Sequence, residues 1–132
     1  MNGILIVAHA PLASALRACV LHVFPDAGDA VAALDVLPDM SPEDSLAQAR
    51  SLLRQSGQRQ TLVVTDVFGA TPCNVAQRLV DGVNSKLLTG VNLPMLVKLA
   101  RVRAELPLKQ AVERAQEAGR KYINIASLIL GS

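Results

Sequence analysis

The chain alternates short unbroken apolar runs with longer stretches in which apolar residues recur every three or four positions. The runs lie at 4–8 (ILIVA), 31–37 (VAALDVL), 61–67 (TLVVTDV) and 86–91 (KLLTGV). Ile4, Leu5, Ile6 and Val7 do not alternate with polar residues, so the first run reads as a strand covered on both faces. Between the runs, Leu12, Leu16, Cys19 and Val23 share one helical face. Leu46, Ala49, Leu52 and Leu53 share another, and Ala76, Leu79 and Val80 a third. Pro11, Pro42, Pro72 and Pro94 each fall just after a predicted strand and just inside a predicted helix, where a missing N–H costs nothing. Ser41 with Asp44 approximates a capping box. Pro107 opens a last helix through Gln110, Val112, Ala115 and Ala118 that stops near Gly119. A short final strand, Tyr122–Ala126, and an apolar end follow.

Strand–helix alternation of this kind predicts an α/β fold with right-handed crossovers. The expected architecture is an open, mostly parallel, doubly wound sheet of about four parallel strands with helices on both faces. The short C-terminal strand is expected to lie antiparallel at the edge. The length suits one domain over residues 1–132, with a single core.

Composition narrows the function. Hydrophobic residues make up 51% of the chain and aromatic residues 2%, so the core is aliphatic and base stacking a poor route to binding. The net charge of +2 comes from 13 basic and 11 acidic residues without a basic block, which argues against nucleic acid and against an anionic membrane surface. Cys19 and Cys73 lack metal-type spacing and read as reduced thiols of an intracellular chain. No signal peptide is visible, and no apolar run approaches the ~20 residues that span a bilayer, so a cytoplasmic protein without membrane insertion is expected.

Ligands of open α/β sheets bind outside the carboxyl ends of the strands. His9 ends the first predicted strand and Asp66 the third. If those strands are neighbours the two side chains can touch. A carboxylate that accepts the Nδ1–H of a histidine leaves Nε2 as an outward lone pair, a poised nucleophile. In DVFGATPCN, residues 66–74, Gly69 permits a tight turn, Thr71 is a candidate N-cap and Pro72 starts a helix. A second helix starts at Pro11. Helix N-termini favour anions. The combination points to a histidine that becomes phosphorylated, with Thr71 and the backbone around Gly69 and Ala70 holding the phosphoryl oxygens.

Each element also has a plainer reading. A lone histidine at a strand end is more often structural or solvated, an aspartate there is often a turn residue, and Thr-Pro usually only starts a helix. What favours the chemistry is that all three fall at one place on the fold. His22 lacks such company and reads as a helix C-terminal residue, and Cys73 in a first helical turn is a weak redox candidate.

The pieces ILIVAHAPLA, DVFGATPCNVA and GVNLPMLV, in this order and spacing, resemble the mannose-type IIA component of the bacterial phosphoenolpyruvate:sugar phosphotransferase system, over essentially the whole chain. The resemblance implies that His9 takes a phosphoryl group on Nε2 from phosphorylated HPr and passes it to a IIB partner, here a separate polypeptide. It implies that Asp66 orients His9 and that Thr71 stands at the phosphoryl-binding helix start. It also implies a homodimer with an exchangeable C-terminal strand, and a transfer that needs neither metal nor cofactor. Ala10 and Ala70 stand where members commonly carry glycine, and Cys73 where many carry phenylalanine. Leu12, Val67, Phe68, Leu93 and Met95 are the candidate partner surface.

Competing classes lack their signatures. A response receiver wants paired acidic residues after the first strand, where this chain has Ala8-His9-Ala10. Dinucleotide and P-loop motifs and the nucleophile elbow are absent. The alternative that remains is an interaction protein in which phosphorylation of His9 is a binding switch.

Overall fold

Residues 1–58 and 60–131 are described by a computed structural model. The elements follow the order β1 (Asn2–His9), α1 (Leu12–Val23), a 3-10 turn (Pro25–Ala27), β2 (Val31–Val36), α2 (Pro42–Ser56), β3 (Gln60–Thr65), α3 (Thr71–Leu79), β4 (Ser85–Leu88), α4 (Leu93–Val102), α5 (Leu108–Lys121) and α6 (Ala126–Ile129). Four strands form one sheet in the order β2-β1-β3-β4, and every pairing is parallel.

The unbroken run in β1 follows from helices covering both faces. Successive strand side chains point to opposite sides. Ile4, Ile6 and Ala8 join Leu62 and Val64 of β3 against α1, α4 and α5. Leu5 and Val7 join Val63 of β3 against α2 and α3. The chain passes from β1 to β2 on one side and later to β3 on the other, so the strand order reverses between β1 and β3. That reversal opens a crevice at the carboxyl edge. Register fixes what lies there: Val7 sits opposite Thr65, so His9 and the residues just past β3 arrive together.

Several sequence expectations are corrected. No strand forms at Tyr122–Ala126: the residues after α5 are exposed, and a single helical turn, α6, ends the described chain. A strand exists only by pairing, and among the described residues this segment pairs with none. The buried side of α1 is Ala13 and Val20, with Leu16 half-buried beside them, while Leu12, Cys19 and Val23 are exposed. That helix is apolar almost all round, so more than one stripe has helical spacing, and Ala13 and Val20 are the residues that enter the core layer with Ala8. Pro11 and Pro107 precede their helices as N-caps, whereas Pro42, Pro72 and Pro94 lie inside the first turn. The helix α5 passes through Gly119 to Lys121. A Cβ on Gly119 would meet Met95 Cε at 3.1 Å, so this glycine permits close packing on α4 where a helix end was expected.

Candidate functional site

His9 is the last residue of β1 and Asp66 follows β3 directly. The His9 backbone N–H donates to Asp66 Oδ2 at 3.0 Å, and His9 Nδ1 lies 2.7 Å from the same oxygen. The other carboxylate oxygen, Oδ1, accepts the Val67 N–H at 2.9 Å. Partial burial opposes ionisation of Asp66 and is the largest single influence on it. The hydrogen bonds from the His9 ring, the His9 N–H and the Val67 N–H together outweigh it and hold the carboxyl below its ordinary value. An ionised carboxylate only accepts, so Nδ1 is the nitrogen that carries a proton towards it, and in the neutral tautomer this leaves the lone pair on Nε2. The Asp66 side chain is 10% exposed and that of His9 53%, so the acid is sheltered while the imidazole faces solvent.

The segment after Asp66 is held from two sides. Gly90 N–H donates to Asp66 O at 2.9 Å and Val91 N–H to Thr65 O at 2.9 Å, which ties the loop after β4 to the loop after β3. Gly69 has φ +85, a left-handed conformation that a side chain would strain. Ala70, in extended backbone, is the N-cap of α3, and its carbonyl receives the Asn74 N–H at 3.0 Å. Thr71 is therefore the first helical residue. It is not the cap expected from the sequence, and among the described residues no side chain caps this helix. The amides at the start of α3, beside His9, are open.

The other helices that start at this edge differ. Ser41 Oγ accepts the Asp44 N–H of α2 at 3.1 Å, as the capping-box reading anticipates. Asn92 Oδ1 accepts the Met95 N–H of α4 at 3.0 Å, while its Nδ2 donates to Gly119 O at 2.9 Å. The start of α1, expected as a second anion site, already holds an acid from β2. Ser14 N–H donates to Asp35 Oδ1 at 3.0 Å and Ser14 Oγ donates to Asp35 Oδ2 at 2.5 Å.

Of the candidate partner surface, Leu12, Val67, Phe68 and Leu93 are exposed, Phe68 most at 74%. Met95 is not part of it: at 3% exposure it is core, packed against Gly119. Cys73 is fully buried, and His22 lies in the last turn of α1. Among the described residues no group of three or more His, Cys, Asp or Glu is arranged to hold a metal ion. Sequence reasoning missed Asp35 and Asn92. Asp35 is the one charged residue in its apolar run, and an asparagine just before Leu93-Pro94 is an N-cap signal.

Solved structures share this fold. The chain is similar to a phosphotransferase system EIIA component from Streptococcus agalactiae, with 25% identity and a TM-score of 0.84 over 97% of this chain and 99% of that one. A mannose/sorbose-specific IIA subunit from Enterococcus faecalis shares the fold at 21% identity and a TM-score of 0.82, over 93% and 92% of the two chains. So does a sigma-54 interaction domain protein from the same organism, at 14% identity and a TM-score of 0.75, over 99% and 97%. No curated protein matches the chain. The family described as the phosphotransferase system fructose IIA component matches residues 3–116, nearly the whole of the fold that carries His9 and Asp66, and the chain belongs to that mannose/fructose-type IIA family.

Proposed function

We propose that the protein is a phosphohistidine carrier. It accepts a phosphoryl group on His9 from an HPr-type phosphocarrier and passes it to a separate IIB protein. The observation that carries this reading is the 2.7 Å contact of His9 Nδ1 with Asp66 beside the uncapped start of α3.

The Nε2 lone pair of His9 attacks the phosphorus of the donor phosphohistidine. A new P–N bond forms as the old one breaks, and its electron pair returns to the donor imidazole. The group arrives activated, so the protein supplies position and charge. His9 gains imidazolium character as the bond forms, and the Asp66 carboxylate on Nδ1–H stabilises it. The N–H groups of Thr71 and Cys73 at the α3 start, the Thr71 hydroxyl and the turn at Gly69 and Ala70 receive the phosphoryl oxygens. Leu12, Val67, Phe68 and Leu93 form an apolar rim on which both partners dock in turn. Among the described residues no helix is long and apolar enough to cross a membrane, which suits a carrier that shuttles between cytoplasmic proteins. The exposed Ile123, Ile125, Leu128, Ile129 and Leu130 suit a homodimer in which this tail is covered by a second copy.

Intact-mass measurement after incubation with phosphoenolpyruvate, enzyme I and HPr tests the proposal. One acid-labile phosphate is expected on the wild type, and none on His9→Ala or without HPr. Loss of that phosphate on adding a IIB protein supports the carrier, and retention against every IIB protein supports the switch. No phosphate under any HPr-type donor overturns both.

A further inference from the structure

We propose that Asp35 is a positioning residue for the phosphoryl group: by placing a carboxylate at the start of α1 it confines the group to α3 and keeps the phosphorylated protein ready to give it up. This rests on the phosphocarrier reading above. Two helices flank His9 in sequence and space, since α1 begins three residues after it and α3 begins beside its Asp66 partner. Left open, both starts would offer amides and a positive dipole end to a dianion. The α1 start carries an acid from another element. Asp35 in β2 takes both the backbone N–H and the hydroxyl of Ser14.

Register puts Asp35 opposite Ala8, one residue short of His9, and Ala10 N–H continues the ladder by donating to Val36 O. Ala8 packs in the layer with α1, whereas Val36, opposite His9, packs in the layer with α2 and α3. The aspartate thus stands on the α1 side of the sheet edge and the imidazole on the α3 side. A phosphoryl group on Nε2 meets amides without a nearby acid in the α3 direction and a carboxylate in the α1 direction.

Closing a helix with a serine or asparagine satisfies amides without adding charge, as Ser41 and Asn92 do on α2 and α4. An aspartate also places a negative charge on the strand adjacent to β1, one register position from the residue that would carry a doubly negative group. Like charges raise the free energy of the phosphorylated form relative to the free one. That lowers occupancy for a given donor and favours hand-off.

The test measures the equilibrium constant for phosphorylation of His9 at fixed ratios of phosphorylated to free HPr, in the wild type, Asp35→Asn and Asp35→Glu. Asparagine keeps an acceptor for the Ser14 N–H and removes the charge, and glutamate restores the charge on a longer arm. The constant is expected to rise about three- to tenfold in Asp35→Asn, to return to within about twofold of wild type in Asp35→Glu, and to lose most of the difference at 1 M salt. A merely structural cap would move the melting temperature and leave this constant alone. A wild-type constant in Asp35→Asn, or an equal rise in both variants, would overturn the proposal while leaving the carrier intact. Absence of phosphorylation in the wild type would overturn the carrier reading and this one with it.

Discussion

The starts of α3 and α4 lie at the same sheet edge, each has a proline within its first turn, and their preceding loops are hydrogen-bonded to each other. They differ in one side chain. Asn92 closes α4 twice, accepting from Met95 and donating to the last turn of α5 at Gly119, so this start is a structural joint. Ala70 closes nothing, and among the described residues no side chain answers the first amides of its helix, at the sheet edge that carries His9. A helix start left without a cap forgoes about 1 kcal/mol of local stability. Leaving that gap beside His9 makes sense when a ligand fills it, and the comparison separates a start built for stability from one built for an anion.

The sharpest way to break the contrast is to close α3. Ala70→Asp places a capping carboxylate where the phosphoryl oxygens are proposed to bind. It is expected to raise stability by about 1 kcal/mol and to cut phosphoryl acceptance about 100-fold. Denaturant unfolding and the initial rate of phosphorylation by phospho-HPr read the two effects separately. A faster or unchanged rate would remove α3 from the site.

Asp66→Asn addresses the other half. The amide cannot stabilise the developing imidazolium, so transfer should slow about 10- to 100-fold with the fold retained. The same variant carries a pH signature. The Asp66 carboxyl lies below its ordinary value of 3.8 in the folded protein, so it contributes stability above that value, and the contribution is lost as pH falls through the lower folded value. The stability difference between wild type and Asp66→Asn should therefore be largest near neutrality and shrink below about pH 3.8, in urea midpoints measured across that range.

Opening α4 should do the reverse of closing α3. Asn92→Ala removes a cap and the link to Gly119, and an expected cost of about 1–2 kcal/mol comes with less than a threefold change in transfer rate. The smallest effect is at the turn itself. Gly69→Ala places a Cβ at φ +85 with nothing within 4 Å to clash, so only backbone strain of about 1 kcal/mol is expected.

How much of this was legible in the sequence depends on how local each signal is. The run ILIVA announces a strand covered on both sides because its alternate residues enter two different layers. His9 and Asp66 were readable as a pair because both end parallel strands, and register does the rest. The buried side of α1 was not readable, since Leu12, Ala13, Leu16, Cys19, Val20 and Val23 leave hardly a polar face to orient it. Met95 reads as surface in the sequence, yet it is core and packs against Gly119, a residue 24 positions away whose missing side chain leaves room for it. Asp35 could be noticed as a charge in an apolar run, but its partner Ser14 belongs to a different element and the hydrogen bonds cross 21 positions. The segment after α5 has strand-like composition at Tyr122, Ile123 and Ile125, yet a strand is a property of two segments and composition describes one.

The central claim is that the open start of α3 receives the phosphoryl group on His9. Amide proton shifts of the protein before and after phosphorylation by phospho-HPr test it most directly. The account predicts that the amides of Thr71 and Cys73 move furthest downfield, as new charge-assisted hydrogen bonds form, while that of Ser14, already held by Asp35, stays near its place. Large shifts at Ser14 with Thr71 and Cys73 unmoved would put the phosphoryl group on the other helix and contradict it.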